Sequence, residues 1–227
     1  MLGRSHVATG AAGFLGLATP GFALAGNPLS PGEIACGTLV AAGAALLPDL
    51  DHPQATVSRS LGPISWFASR VITKLAGGHR NGTHSALAAF LVLIAALAAV
   101  ASGGLIGPFI TCVICVSLVC RLFLDGFNDA TSAIVACVVS AGLLAVTPDF
   151  RWIPLAVAGG YILHLAGDAI TKEGVPLLWP VNKTRFRFGL ILTGGRLEKI
   201  VCLGSGLTVA ILAWTMILAP AIAQTHP

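Results

Sequence analysis

Charge is what this chain has least of. Asp, Glu, Lys and Arg make up 10% of its 227 residues, against about a quarter in soluble domains. A water-solvated globular surface is therefore excluded, and no nucleic-acid partner is expected. Disulfides are also missing as a plan. The six cysteines, Cys36, Cys112, Cys115, Cys120, Cys137 and Cys202, all fall inside apolar stretches. Cys112-x-x-Cys115 has the spacing of a redox or zinc pair, but inside an apolar helix the two thiols read as small buried side chains. Internal repeats and a low-complexity tail are absent too, and Pro and Gly mainly punctuate helix ends.

What is present is apolar. Hydrophobic residues reach 56%, and mean hydropathy is +0.88. A helical span needs about 20 such residues. The stretches 7–24, 33–48, 85–107, 108–124, 131–147, 152–168 and 200–221 qualify as candidates, with 33–48 and 152–168 near the short limit. The expected fold is all-α: a polytopic membrane helical bundle of six or seven apolar helices, four to six of them spanning, in a single domain over residues 1–227.

The thirteen Lys and Arg orient that bundle. If seven spans alternate, twelve fall on one side and only Arg151 opposite. The positive-inside rule then places the amino terminus and the basic loops, about 49–83 and 169–199, in the cytoplasm of a cell bounded by this inner membrane. The first thirty residues allow another reading. Arg4, the run from His6 to Leu24, and Ala23-Leu24-Ala25 resemble a cleaved secretory leader. His6, Thr9 and four glycines make its hydrophobic core a weak one.

The few polar residues are not scattered. Five of the six His and three of the six Asp lie at the ends of apolar segments, where such groups are costly and rarely kept without a task. On the alternating topology they converge at one depth, an arrangement that Lys and Arg alone had already fixed. Asp49-Leu50-Asp51-His52-Pro53 offers two carboxylates and an imidazole from one rigid turn, although an acidic turn also simply ends a helix in water. His79-Arg80-Asn81-Gly82-Thr83-His84-Ser85 enters the next helix. Thr83 can cap that helix, and Arg80 can hold an anion such as a phosphate oxygen. A basic loop at a lipid surface is the plainer reading.

His164-x-x-x-Asp168 places both groups on one helix face. Asp168 then either ligates metal or orients His164, and a buried His–Asp packing bond is the alternative. His6 joins them as a ligand or as an interfacial residue. Asp125 and Asp129 repeat the i, i+4 spacing around Asn128, but a single such pair reads as a solvated loop, with auxiliary ligation as the minor alternative. Trp179 is placed as an interfacial anchor. Lys183, Arg185 and Arg187, alternating with Phe186 and Phe188, suit the anionic leaflet surface. Glu198 is a spare carboxylate open to pairing with Lys or Arg.

In order, His6, Leu47-Pro48-Asp49-Leu50-Asp51-His52, His79-Arg80-x-x-Thr83-His84-Ser85, His164-x-x-x-Asp168 and Gly174-Val175-x-Leu177-Leu178-Trp179-Pro180 resemble the YdjM family of bacterial inner-membrane, metal-dependent hydrolases. The resemblance runs from residue 6 to about 200. It is carried by the motifs in combination, not by any one of them. Through that family the chain is distantly similar to the zinc-dependent phospholipase C and P1 nuclease group.

The resemblance implies phosphoester hydrolysis, with His6, Asp49, His79, His84, His164 and Asp168 as metal ligands and Asp51 and His52 less securely placed. The expected cofactor is a divalent metal, zinc first, with room for two or more ions. Expected partners are membrane lipids and a phosphorylated or lipid substrate. Asp51 is the candidate proton acceptor and Arg80 the candidate holder of a nonbridging oxygen. Two other classes fit the same residues: a divalent-cation transporter, and a non-catalytic membrane protein with a structural metal.

Overall fold

The computed structural model describes residues 1–124, 126–147 and 149–225. Among them the chain forms eight helices and two isolated β-bridges, with no strand. The helices are α1 (Gly3–Leu24), α2 (Pro31–Ala44), α3 (Pro63–Ala76), α4 (Ala86–Ala101), α5 (Ile106–Phe123), α6 (Asp129–Ala145), α7 (Ile153–Ala169) and α8 (Arg196–Ala223). Single π-helical turns, Phe14–Ala18 and Trp214–Leu218, interrupt α1 and α8. The all-α membrane bundle is thus the fold.

Helix ends follow local chemistry. Ser30 and Glu33 form a reciprocal capping box ahead of α2, with Pro31 as its first residue. Asn128 accepts from the Thr131 amide to start α6. The stretch expected as one span over 85–107 stops earlier, because residues 102–105 break it and Gly103 takes a φ of 73°. Four helices are long and apolar enough to cross a membrane: Gly3–Leu24, Pro31–Asp51, Ile106–Phe123 and Arg196–Ala223. The others, α4, α6 and α7, hold 16, 17 and 17 residues. At 1.5 Å per residue, 17 residues give about 25 Å, just under a typical hydrocarbon core.

The bundle is organised around α2, which packs against α1, α5 and α7. Close approach is possible because the contacts are glycine. A Cβ at Gly10 of α1 would lie 2.7 Å from the Ala41 carbonyl oxygen, and one at Gly160 of α7 would lie 2.3 Å from the same atom. Lipid offers no hydrophobic gain for pairing helices, so such backbone-to-backbone packing carries the association. Helix α8 runs along α1 and meets α2 through its π turn.

Helix α3 has no counterpart among the expected spans. Its residues Ile64, Phe67, Val71 and Leu75 share one exposed apolar face, while Ser65, Ser69 and Ala76 are buried. An amphipathic helix of this kind lies along a membrane surface rather than through it.

Candidate metal centre

Three junctions bring the polar residues together. After α2 the chain tightens into the 3-10 turn Pro48–Asp51, which delivers Asp49 and Asp51. A second 3-10 turn, Gly82–His84, delivers His84 immediately before α4. One turn apart on α7, His164 and Asp168 face these turns, and both are fully buried. His6, also fully buried, stacks on His164 with ring centroids 3.7 Å apart.

Two imidazole nitrogens meet, each near two carboxylate oxygens. Nε2 of His84 and Nε2 of His164 are 3.2 Å apart. Asp49 Oδ1 lies 3.8 Å from each of them, and Asp168 Oδ2 lies 3.7 Å from each. Ligand bonds of 2.0–2.2 Å in a tetrahedron put neighbouring donors about 3.3–3.5 Å apart. The spacings within Asp49–His84–His164 come within a few tenths of an ångström of such edges, and it is this triad, not all four residues, that falls within mutual bridging reach.

The tautomers follow from the partners, since hydrogens are assigned from the network. A carbonyl only accepts, so His164 Nδ1 donates to the Ala45 oxygen at 2.7 Å. The Thr83 hydroxyl spends its hydrogen on Asp51 Oδ2. Its oxygen therefore accepts from His84 Nδ1, 3.0 Å away. As neutral imidazoles, both rings turn Nε2 lone pairs toward one another and toward two carboxylates. Arg80 and the Met1 amino group answer Asp168, and a bound cation would relieve the repulsion among the remaining lone pairs.

Two donor triads lie within bridging reach, Asp49–His84–His164 and His6–His164–Asp168. His164 has only Nε2 to give, so the triads share an atom and outline one contiguous donor set. Asp168 faces both halves, with Oδ2 toward His84 and Oδ1 3.3 Å from His6 Nε2. The Met1 amino group also contacts Oδ1.

Asp51 has a different place from the one expected. It is fully buried behind His84, and its oxygens accept from His79 Nδ1 at 2.6 Å, the Arg80 amide at 2.9 Å and the Thr83 hydroxyl. With these acceptor sites occupied, it orients the loop and His84 rather than meeting a reacting water. Arg80 adopts a left-handed φ of 57°. That conformation turns its amide to Asp51 and its guanidinium to Asp168 Oδ2, 3.2 Å away. One of its guanidinium nitrogens is thus committed to a carboxylate, while Nε has no hydrogen-bond partner among the described residues.

His79 and His52 stand outside the convergent set. Their rings meet edge-on at 4.7 Å, and His79 is spent on Asp51. Thr83 does not cap α4; Ser85 does, accepting from the Ala88 amide. Glu198 pairs with no Lys or Arg among the described residues. It is buried and accepts from the Leu2 and Gly194 amides. Asp129 pairs with Arg121 at 3.2 Å, and Asp125 lies outside the described residues. Trp179 packs on Gly82, where a Cβ would come within 3.1 Å of its ring. The Ala45 carbonyl was not singled out in the sequence, and the Thr83 hydroxyl was read only as a cap. The only signals for them were a helix ending before Pro48 and a hydroxyl beside His84.

Helices around a buried imidazole–carboxylate cluster define a polytopic membrane protein with a candidate metal centre. The family model described as YdjM inner membrane protein matches residues 1–225, and the chain belongs to that family. Two curated relatives, both called inner membrane protein YdjM, come from Escherichia coli (strain K12) and Shigella flexneri. Each is 28% identical over 160 residues, covering 70% of this chain. The match spans 57% of each relative's own length. No solved structure matches, so the wider kinship with phospholipase C and P1 nuclease gains no support from structure.

Proposed function

We propose that the chain is a membrane-bound, metal-dependent hydrolase acting on a phosphoester or phospholipid-type substrate at the cytoplasmic face. The observation that carries this reading is the gathering of His84 Nε2, His164 Nε2 and Asp49 Oδ1 into one donor triad, with Asp168 Oδ2 3.7 Å from both imidazoles. Zinc suits two imidazoles and two carboxylates. Bound there, it supplies Lewis acidity and a water acidic enough to ionise near neutral pH.

The protein's own residues do the rest. Ala45 and Thr83 fix the two ligand rings, and Asp51 adds a carboxylate 3.5 Å from His84 Nδ1 that strengthens it as a donor. Asp49 alone among the four donors meets solvent, with 21% of its side chain exposed. It is the group we assign to take the proton of the attacking water. Arg80 holds Asp168 in register through its guanidinium.

The test is metal analysis of the purified chain, then a phosphoester panel with and without chelator. Zinc at stoichiometric level and phosphate release that chelation abolishes are expected, both lost in His84→Ala. Hydrolysis indifferent to chelation, or full metal content in His84→Ala, overturns the reading.

A further inference from the structure

Beside the metal centre a cavity of about 1070 Å³ opens between α3 and the turn that follows α2. Its cationic wall comprises Arg59, Arg70, Lys74 and Arg121. Arg121 is paired with Asp129. Arg59, Arg70 and Lys74 have no carboxylate partner among the described residues. Asp51, which also borders the cavity, is already held by His79, Arg80 and Thr83. None of the four convergent donors lines the cavity. His79 and Asp51 form the shared wall.

We propose that this cavity is a binding site for a phosphate-bearing dianion or diphosphate. Three uncommitted cations around one concavity have no internal charge to answer them, and phosphate oxygens are the acceptors that guanidinium and ammonium groups match best. Arg70 is already ordered, its guanidinium carbon 4.0 Å from the centre of the Trp66 ring, so less freedom is lost on binding. Lys74 follows one helical turn later, on the same side of α3.

The adjoining exposed face of α3 fixes the level of the site. Ile64, Phe67, Val71 and Leu75 are exposed and apolar, so the helix floats with this face in the acyl boundary and its cations among the headgroups. Binding stands independently of the hydrolase reading. Only the further role, docking the phosphate of that enzyme's substrate, rests on it.

The full chain in neutral detergent is titrated with labelled inorganic pyrophosphate and, separately, with short-chain phosphatidic acid against phosphatidylcholine as control. At least one of the two should bind well above the zwitterionic control. Pyrophosphate binding identifies a soluble source of the phosphate; phosphatidic acid binding alone identifies a lipid headgroup. Arg70→Gln and Lys74→Gln should each weaken binding about tenfold, with Arg70→Lys milder. Lys74 is exposed, so its variant keeps the fold.

His84→Ala should lose metal and keep phosphate affinity, which separates failure of this site from failure of the hydrolase reading. The proposal is overturned if neither ligand exceeds the control. It is equally overturned if the Arg70→Gln/Lys74→Gln double variant binds as the parent does.

Discussion

Replacing Asp51 by Asn tests whether the carboxylate behind His84 governs the metal centre without touching it. The shape survives the change. The Asn oxygen can still accept from the Arg80 amide and the Thr83 hydroxyl, while its NH2 faces His79, whose ring can switch tautomer and accept. What vanishes is the negative charge 3.5 Å from His84 Nδ1. Losing an outer carboxylate behind a ligating imidazole costs about 10–100-fold in metal affinity, or roughly 1.4–2.7 kcal/mol. Asp51→Ala differs in kind, because it orphans the buried Arg80 and Thr83 donors at about 1–3 kcal/mol each and should destabilise the loop itself. The assay is competitive zinc titration against a chelating dye, with thermal unfolding of the metal-free protein alongside. Asn should lower affinity while leaving apo stability nearly unchanged; Ala should lower both. Affinity within twofold of the parent in Asp51→Asn refutes the argument.

Zinc at a hundredfold excess over its dissociation constant should stabilise the folded protein by about 2.7 kcal/mol. The effect should disappear on chelation and in His164→Ala, read as the thermal midpoint in detergent. Gly160→Val should destabilise by about 1–3 kcal/mol, because a side chain 2.3 Å from the Ala41 oxygen must push α7 off α2. Zinc affinity should fall with it, since His164 rides on the same helix, and an unchanged melt and titration would contradict the packing account. In a background without native cysteines, Asn27→Cys should react with an impermeant maleimide from outside intact cells and Thr184→Cys should not. The reverse pattern overturns the cytoplasmic orientation.

Periodicity and charge made the seven apolar helices legible, because a membrane span needs only length and hydropathy to declare itself. Helix α3 escaped for the same reason: Arg70 and Lys74 interrupt its apolar run, and its hydrophobic face emerges only at helical spacing. In the site, His164 and Asp168 were readable from i, i+4 spacing, and His84 from its neighbours. The different places of Asp49 and Asp51 were not. Two carboxylates two residues apart look alike in sequence, and only the 3-10 turn sends one to the donor set and the other back into the loop. The inward turn of Arg80 onto Asp168 was not legible either, because its left-handed backbone has no signature in its residue type.

The four donors come from the exit of α2, the entrance of α4 and the final turns of α7. Helices enter a bilayer in the order of synthesis, so the first half of the chain carries only a partial claw. If the proposed ion binds there, Asp49 and His84 alone would grip it weakly, and tight capture would wait until α7 packs against α2 and α4. A bound ion would then act as a latch fastened after assembly, and the nascent chain would draw little of it from the cell.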